Sequence, residues 1–521
     1  MTRLPRIGRR TFTIWLGAAG GAVVLGCSSK DAAAAKRTPT SLPPLDSVKL
    51  TTDRTIVPTK VRASTLDARS PLVPADRKSM LADGFSEYSF GAGEPVVARM
   101  PDGSAALASG KNAARLVRFV HLTDIHVADD ESPARLEAFD GGPPFDGSAR
   151  PQQAYMGWIL NAAVRSINAV HAADPVDFAL VGGDLTDSAQ KNEMTWALGV
   201  LSGTGTVTCD SGEANDPVRG PGNDPKDPFV PNGLAMPWLF STGNHDTLLM
   251  GISAITDQAV QNAMGDDSKG GTTDWSESGG VVVKGTVAAD SERQPLKRDE
   301  MLALIAADAD SHGLHNTQLE GKSDYVMDID GTNLRFIAYD TACEGGGADG
   351  IVRKSDVNAY LKPALDKAKA DGKWVVLVSH HPLGSIGDGS SGTAADKADA
   401  MALTDVQALF LSYTNIVFAI TGHTHRNIVS WIGPDPTQGF WEVQTSSLVE
   451  FPNQMRIIEI SDEDNGYLSA QLVGLEFSTD GDAVSEQGRK LAILDYVSGW
   501  GTDGTGQLAD RNVKLYIKKP A

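Results

Sequence analysis

Cysteine is scarce: Cys27, Cys209 and Cys343 are all that 521 residues contain, and no Cys-x-x-Cys pair occurs. That argues against thiolate zinc sites and iron–sulfur clusters. No Gly-x-Ser-x-Gly elbow is present, so an α/β-hydrolase triad has no nucleophile turn, and no His-x-His-x-Asp-His run of the metallo-β-lactamase type occurs. Basic residues are the minority, 46 against 66 acidic ones, for a net charge of −20. Duplex nucleic acid, which needs clustered Lys and Arg to neutralise phosphates, is therefore a poor partner. Internal repeats are absent. Long apolar runs are missing too: residues 14–25 fall short of the roughly 20 residues that span a bilayer.

That short run is informative for what precedes it. Arg9-Arg10-Thr11-Phe12 followed by an apolar stretch resembles a twin-arginine export signal, and Val24-Leu25-Gly26-Cys27 resembles a lipobox in which Cys27 becomes the acylated residue. The expectation is an exported protein, periplasmic or at the cell surface and handled by the twin-arginine machinery; a lipid anchor at Cys27 is left open, since Leu25 is larger than the usual lipobox occupant there. Residues 1–27 then form the signal and 28–50, rich in Ser, Ala, Lys and Pro, a flexible tether. In an oxidising compartment Cys209 and Cys343 could pair as a disulfide, two free thiols being the alternative.

The chemistry lies farther on, at the ends of apolar runs. Residues 117–122 read as a buried strand leading into Thr123-Asp124-Ile125-His126, with two ligand-type side chains at its carboxyl end, where open α/β sheets bind ligands. The pattern recurs. Residues 176–181 end in Gly182-Gly183-Asp184-Leu185-Thr186-Asp187, residues 237–242 in Gly243-Asn244-His245-Asp246, residues 374–378 in Ser379-His380-His381-Pro382, and residues 416–420 in Thr421-Gly422-His423-Thr424-His425. Between them, helical spacing predicts amphipathic helices over 152–171 and 355–370, and Asp330-Gly331 predicts a hairpin turn within 323–340. Alternating runs within 428–473 read as antiparallel strands closing a second sheet. Segments near 128–151, 204–233 and 247–321 are Gly-, Pro- and Asp-rich inserts, 51–114 an amino-terminal extension, 115–475 the main domain and 476–521 a carboxyl-terminal extension.

Asp, His and Asn without thiolate suit Zn, Mn, Fe, Co or Mg. Seven such residues suffice for two ions if one carboxylate bridges them, an arrangement that clamps a phosphoryl group during in-line displacement. The ordered set Asp124-Ile125-His126, Gly183-Asp184, Gly243-Asn244-His245-Asp246, His380 and Pro382, and Gly422-His423-Thr424-His425 resembles the calcineurin-like metallophosphoesterases, in particular an exported bacterial branch with long inserts. The resemblance implies a four-layer αββα sandwich of two mixed sheets. It implies two divalent or trivalent ions, Zn, Mn, Fe or Co, the first held by Asp124, His126, Asp184 and His425 and the second by Asp184, Asn244, His380 and His423. It also implies hydrolysis of a small phosphomonoester or phosphodiester by metal-bound hydroxide, with His245 protonating the leaving oxygen and Asp187 orienting His245. A tyrosine ligand stands at the position of Asp187 in purple acid phosphatases, which speaks against a ferric purple site here. His381 and His121 are read as structural. A non-catalytic exported metal-binding protein of the same fold and a nuclease are the competing readings. Arg135, Arg150, Arg219, Lys226 and Arg426 are candidates to grip a phosphate.

Overall fold

The strands that carry the site belong to two sheets. In chain order they are β1 Val97–Arg99, β2 Ala114–Leu122, β3 Phe178–Val181, β4 Trp238–Phe240, β5 Tyr325–Asp328, β6 Leu334–Ala338 and β7 Trp374–Val378. They continue with β8 Ile416–Thr421, β9 Ile428–Asp435, β10 Gln438–Gln444, β11 Gln454–Asp462, β12 Tyr467–Glu476 and β13 Val513–Lys518. This computed structural model describes residues 37–140, 147–307 and 311–520. The seven-stranded sheet runs β1-β13-β12-β11-β2-β3-β4 and the six-stranded sheet β5-β6-β7-β8-β10-β9. Both are mixed. The strands that end in ligand residues are parallel to their neighbours, β2 to β3 to β4 and β7 to β8, whereas β11 runs antiparallel to β2.

Alternation decides what each strand buries. On β2, Val117 and Phe119 enter the apolar layer between the sheets, where they meet Phe178, Phe336, Phe418 and Leu472, while Val120 and Leu122 face the helices outside. Phe119 stacks on Phe178 at 5.0 Å, and Phe336 meets it edge-on at 5.6 Å. Outside the seven-stranded sheet lie helices α1 Met156–Ala173 and α2 Lys191–Ser202; outside the six-stranded sheet lie α3 Lys362–Ala370 and α4 Leu403–Leu411. The result is the expected αββα sandwich.

Several elements depart from the sequence reading. Helix α1 is buried almost all round rather than amphipathic, because α5, Ala483–Ser498, packs on its outer side, with Gly488 against Tyr155 and Ile159. The runs expected to close one second sheet are divided: β9 and β10 join the six-stranded sheet, β11 and β12 the seven-stranded one. Segments 51–114 and 476–521 supply the edge strand β1, helix α5 and strand β13, so both extensions are built into the sandwich. The tether reading fails for residues 37–50, since Arg37 pairs with Asp210 at 2.7 Å and Leu42, Val48 and Leu50 pack on the main core. The Cys209–Cys343 bridge is not formed. Cys209 is buried against Gly157 in the α1 core, whereas Cys343 is buried beside Ile351 and Ala400, and both thiols are free.

Candidate metal centre

Five strand ends deliver the ligand-type side chains to one place. Asp124 and His126 follow β2, Asp184 follows β3, Asn244 and His245 follow β4, His380 follows β7, and His423 and His425 follow β8. The chain turns sharply there: Asp124, His126 and Asp184 have φ of 52°, His423 of 69° and His425 of 55°. Left-handed backbone costs a non-glycine residue about 1–3 kcal/mol and persists only where the surroundings over-determine it. Asp246 is one such determinant. Its buried carboxylate accepts the N–H groups of Gly243, Asp184, Leu185 and Thr186 at 2.9 to 3.0 Å. Gly183, at φ 102°, has no alternative residue, because a Cβ there would sit 2.5 Å from Nδ1 of His380.

The inner atoms crowd together while the outer ones are anchored. His126 Nε2 lies 3.2 Å from His425 Nε2 and 3.8 Å from Asp184 Oδ2; His380 Nε2 lies 3.1 Å from Asp184 Oδ2; His425 Nε2 lies 3.3 Å from Asp124 Oδ1. His423 Nδ1 is 3.2 Å from Asn244 Oδ1. On the far side of the rings, Nδ1 of His126 bonds the Asp187 carboxylate at 3.0 Å, Nδ1 of His380 the Gly182 carbonyl at 2.9 Å, and Nδ1 of His425 the Glu450 carboxylate at 2.9 Å. Such outer partners fix the ring and leave Nε2 as a donor pair for a metal. His380 Nε2 is buried with no hydrogen-bond partner, although a carboxylate oxygen is near. Asp124, His126 and His425 form one close group of donors and Asp124, Asp184 and His380 another. The residues present therefore fit metal ions of the N/O-preferring kind.

The family model for calcineurin-like phosphoesterases matches residues 117–427, more than half of the chain. The chain belongs to this family. It is a metal-dependent phosphoric ester hydrolase. Among solved structures it is similar to a dimetal phosphatase from Danio rerio (11% identity, 70% of this chain and 100% of that one, TM-score 0.37). It is also similar to a sulfate thiohydrolase from Thermus thermophilus (13% identity, 73% and 60%, TM-score 0.30) and to a purple acid phosphatase from yellow lupin (10%, 74% and 54%, TM-score 0.31). No curated protein sequence matches it.

The phosphoesterase's own charges prepare the site for cations. Burial pulls His425 down, yet the Glu450 and Asp124 carboxylates outweigh it and raise its pKa to about 10. Burial likewise opposes Asp184 and Asp124 at His380, which ends raised to about 9. Burial and the neighbouring His380 take His423 down to about 3. Burial works against ionisation of Asp184, but His380 and His245 hold its carboxyl well below the usual range.

His245 stands at the edge of the same group. Its Nδ1 donates to the main-chain carbonyl of Asp187 at 2.7 Å, and its ring meets that of His126 edge-on at 4.4 Å. Here the expected role of Asp187 changes: the carboxylate lies 3.7 Å from His245 Nδ1 and serves His126 and Arg135 instead, while the carbonyl orients His245. A donor nitrogen of His245 is also close enough to His126 and Asp184 to be counted with them. His381 bonds Thr341 and the Ala348 carbonyl, although a donor nitrogen of its ring is close enough to His380 and His423 to be grouped with them, and His121 bonds Thr445 within the sandwich. Of the candidate phosphate-binding cations, Arg135 and Lys226 are consumed in buried ion pairs and Arg426 bonds the Asp503 carbonyl.

Sequence reasoning missed Glu450 and Asp246 as supports. An acidic residue inside the apolar run Leu448-Val449-Glu450-Phe451 was the available signal, because a buried carboxylate needs a partner. A cavity of about 260 Å³ opens beside His423 and His425, walled by Asp140, Arg150, Glu450, Asp495 and Trp500. Its walls come from the first insert and from the carboxyl-terminal extension.

Proposed function

We propose that this phosphoesterase is an exported enzyme with a dinuclear centre, one ion held by Asp124, His126, Asp184 and His425 and the other by Asp184, Asn244, His380 and His423. One observation carries the reading: anchored imidazoles whose inner nitrogens converge on Asp184 Oδ2, with His126 Nε2 on one side of it and His380 Nε2 on the other. Zn, Mn, Fe or Co would supply Lewis-acid charge and a water of lowered pKa when bound. The remaining work belongs to the chain. Asp187 holds His126 through its carboxylate and His245 through its carbonyl, so the two rings keep their relative placement. With Nδ1 committed, His245 has Nε2 left to hold a proton for the departing oxygen. The first insert and the carboxyl-terminal extension wall the cavity, and the net charge of −20 disfavours the nuclease reading.

The deciding experiment is an assay of the metal-reconstituted protein against a panel of phosphomonoesters and phosphodiesters, with DNA and RNA included. Hydrolysis of small esters is expected. Two bound equivalents of metal with no turnover of any ester would instead make the chain a non-catalytic metal-binding protein of the same fold.

Export rests on the amino-terminal motifs, which lie outside the described residues. Replacing Arg9 and Arg10 together by Lys should leave precursor in the cytoplasm on fractionation, and normal export would remove the twin-arginine reading. Mass spectrometry of the mature terminus reads acylation at Cys27, on which the lipid anchor depends.

A further inference from the structure

Among the described residues walling the cavity beside His423 and His425, Arg150 is the one Lys or Arg; the carboxyl groups there are Asp140, Glu450 and Asp495. A phosphomonoester brings close to two negative charges at neutral pH. Burial pushes the carboxyls of Asp140 and Asp495 up towards the neutral form. At Glu450 burial is outweighed by His425 and Arg150, and that carboxylate opposes entry. Arg150 is placed to offset it. It is 8% exposed, and its Nε donates to Glu450 Oε1 at 2.8 Å. The other oxygen of Glu450 accepts from His425 Nδ1 at 2.9 Å, so the guanidinium is fixed relative to a ring of the metal centre.

Among the described residues, the rest of the fork makes no hydrogen bond to the fold: Nη1 has a longer ion-pair contact with Asp187 Oδ1 at 3.7 Å, and Nη2 lies near Gly147, where an added Cβ would come within 3.4 Å of it. Gly147 lines the same cavity, and its missing side chain leaves room beside Nη2. Burial disfavours the charge on Arg150, but Glu450 and Asp187 more than compensate and keep it cationic. A planar fork held in advance beside a metal centre is suited to paired phosphoryl oxygens, and little rotamer entropy remains to be lost on binding.

We propose that Arg150 binds the nonbridging oxygens of the substrate and thereby suits this cavity to a small phosphomonoester. The proposal rests on the dinuclear phosphoesterase reading. Glu450 is then a positioning residue shared by the fork and His425.

The test uses the metal-loaded full chain and its Arg150→Gln and Arg150→Lys variants. Arg150→Gln should keep both ions and weaken inorganic phosphate by roughly 10- to 100-fold in calorimetry, the usual worth of a lost charge-assisted contact. The KM for p-nitrophenyl phosphate should rise by a similar factor, with a smaller loss on bis(p-nitrophenyl) phosphate, whose single charge asks less of the fork. Arg150→Lys should recover part of the affinity, since it keeps the charge and loses the paired geometry. Unchanged phosphate affinity in Arg150→Gln, or equal losses on the two esters, would overturn the proposal. So would loss of bound metal in both variants, which would make Arg150 a support of Glu450 and His425 only. Because calorimetry reads phosphate binding in protein that turns nothing over, failure of the clamp is distinguishable from failure of the phosphoesterase reading.

Discussion

His245 is held by three neighbours: the Asp187 carbonyl at Nδ1, the His126 ring edge, and Gly251, where a Cβ would come within 2.2 Å of the ring. Its task is to deliver a proton, and a positioned acid contributes about 10² to 10⁴ in rate. His245→Ala should therefore lower kcat within that range on an alkyl phosphoester, with metal content intact by elemental analysis. The loss should be smaller on a nitrophenyl ester, which departs as a stable anion, and an equal loss on both would assign His245 to charge stabilisation instead. The raised pKa values of His380 and His425 give a second outcome. Both imidazoles must be neutral to bind metal, so uptake near pH 7 should release protons and affinity should rise with pH until about 9 to 10. Metal titrations in buffers of different ionisation enthalpy measure that release, and an uptake that releases none would contradict it. The proposed ligands were legible because each follows an apolar run directly. Arg150 was already among the cations named to grip a phosphate, but Glu450 was not legible, because the contact that ties it to Arg150 spans 300 positions, and no sequence reveals that Asp187 uses its carbonyl on one histidine and its carboxylate on another.

At the scale of the element, the site is a set of turns rather than a set of strands. The apolar runs before Asp124, Asp184, His380 and His423 formed strands as expected, since β-branched and aromatic residues buried on both faces have few other structures open to them. Which sheet each later strand joins was not legible: the alternation within a strand does not name its partner, and the partition is set by pairing beyond each local hairpin, β10 with β8 and β11 with β2. The buried character of α1 was hidden for a similar reason, its outer face being covered by a helix more than 300 residues later. The turns themselves lean on glycine. Gly183→Ala would force a Cβ onto the His380 ring at a φ of 102°, adding strain of about 1–3 kcal/mol and displacing a ligand. The expected result is a lower unfolding midpoint together with loss of metal. A variant that keeps full metal content would show that the turn can relax without moving His380.

Across the whole molecule, the three inserts and the extensions are joined by charge as much as by apolar packing. Lys226 in the second insert was a candidate for a phosphate contact on sequence alone, yet its ammonium is fully buried, 2.8 Å from Asp130 and 2.7 Å from Glu131 in the first insert. Trp275 of the third insert donates to Asp130 at 2.5 Å, and Arg293 reaches Asp129 at 3.1 Å. A lysine in a Gly- and Pro-rich insert reads as a solvated charge because its partners lie about 95 positions earlier. Removing one member of a buried ion pair leaves the other charges unpaired in low dielectric and costs about 3–5 kcal/mol. Lys226→Met keeps much of the apolar stem but strands Asp130 and Glu131. Its unfolding free energy should fall by that amount in denaturant titration, and the first and second inserts should become the sites of earliest proteolytic cleavage. The metal ligands touch none of these groups, so metal binding should survive at temperatures where the chain remains folded. An unchanged unfolding free energy would mean that water reaches the cluster and already solvates the two carboxylates.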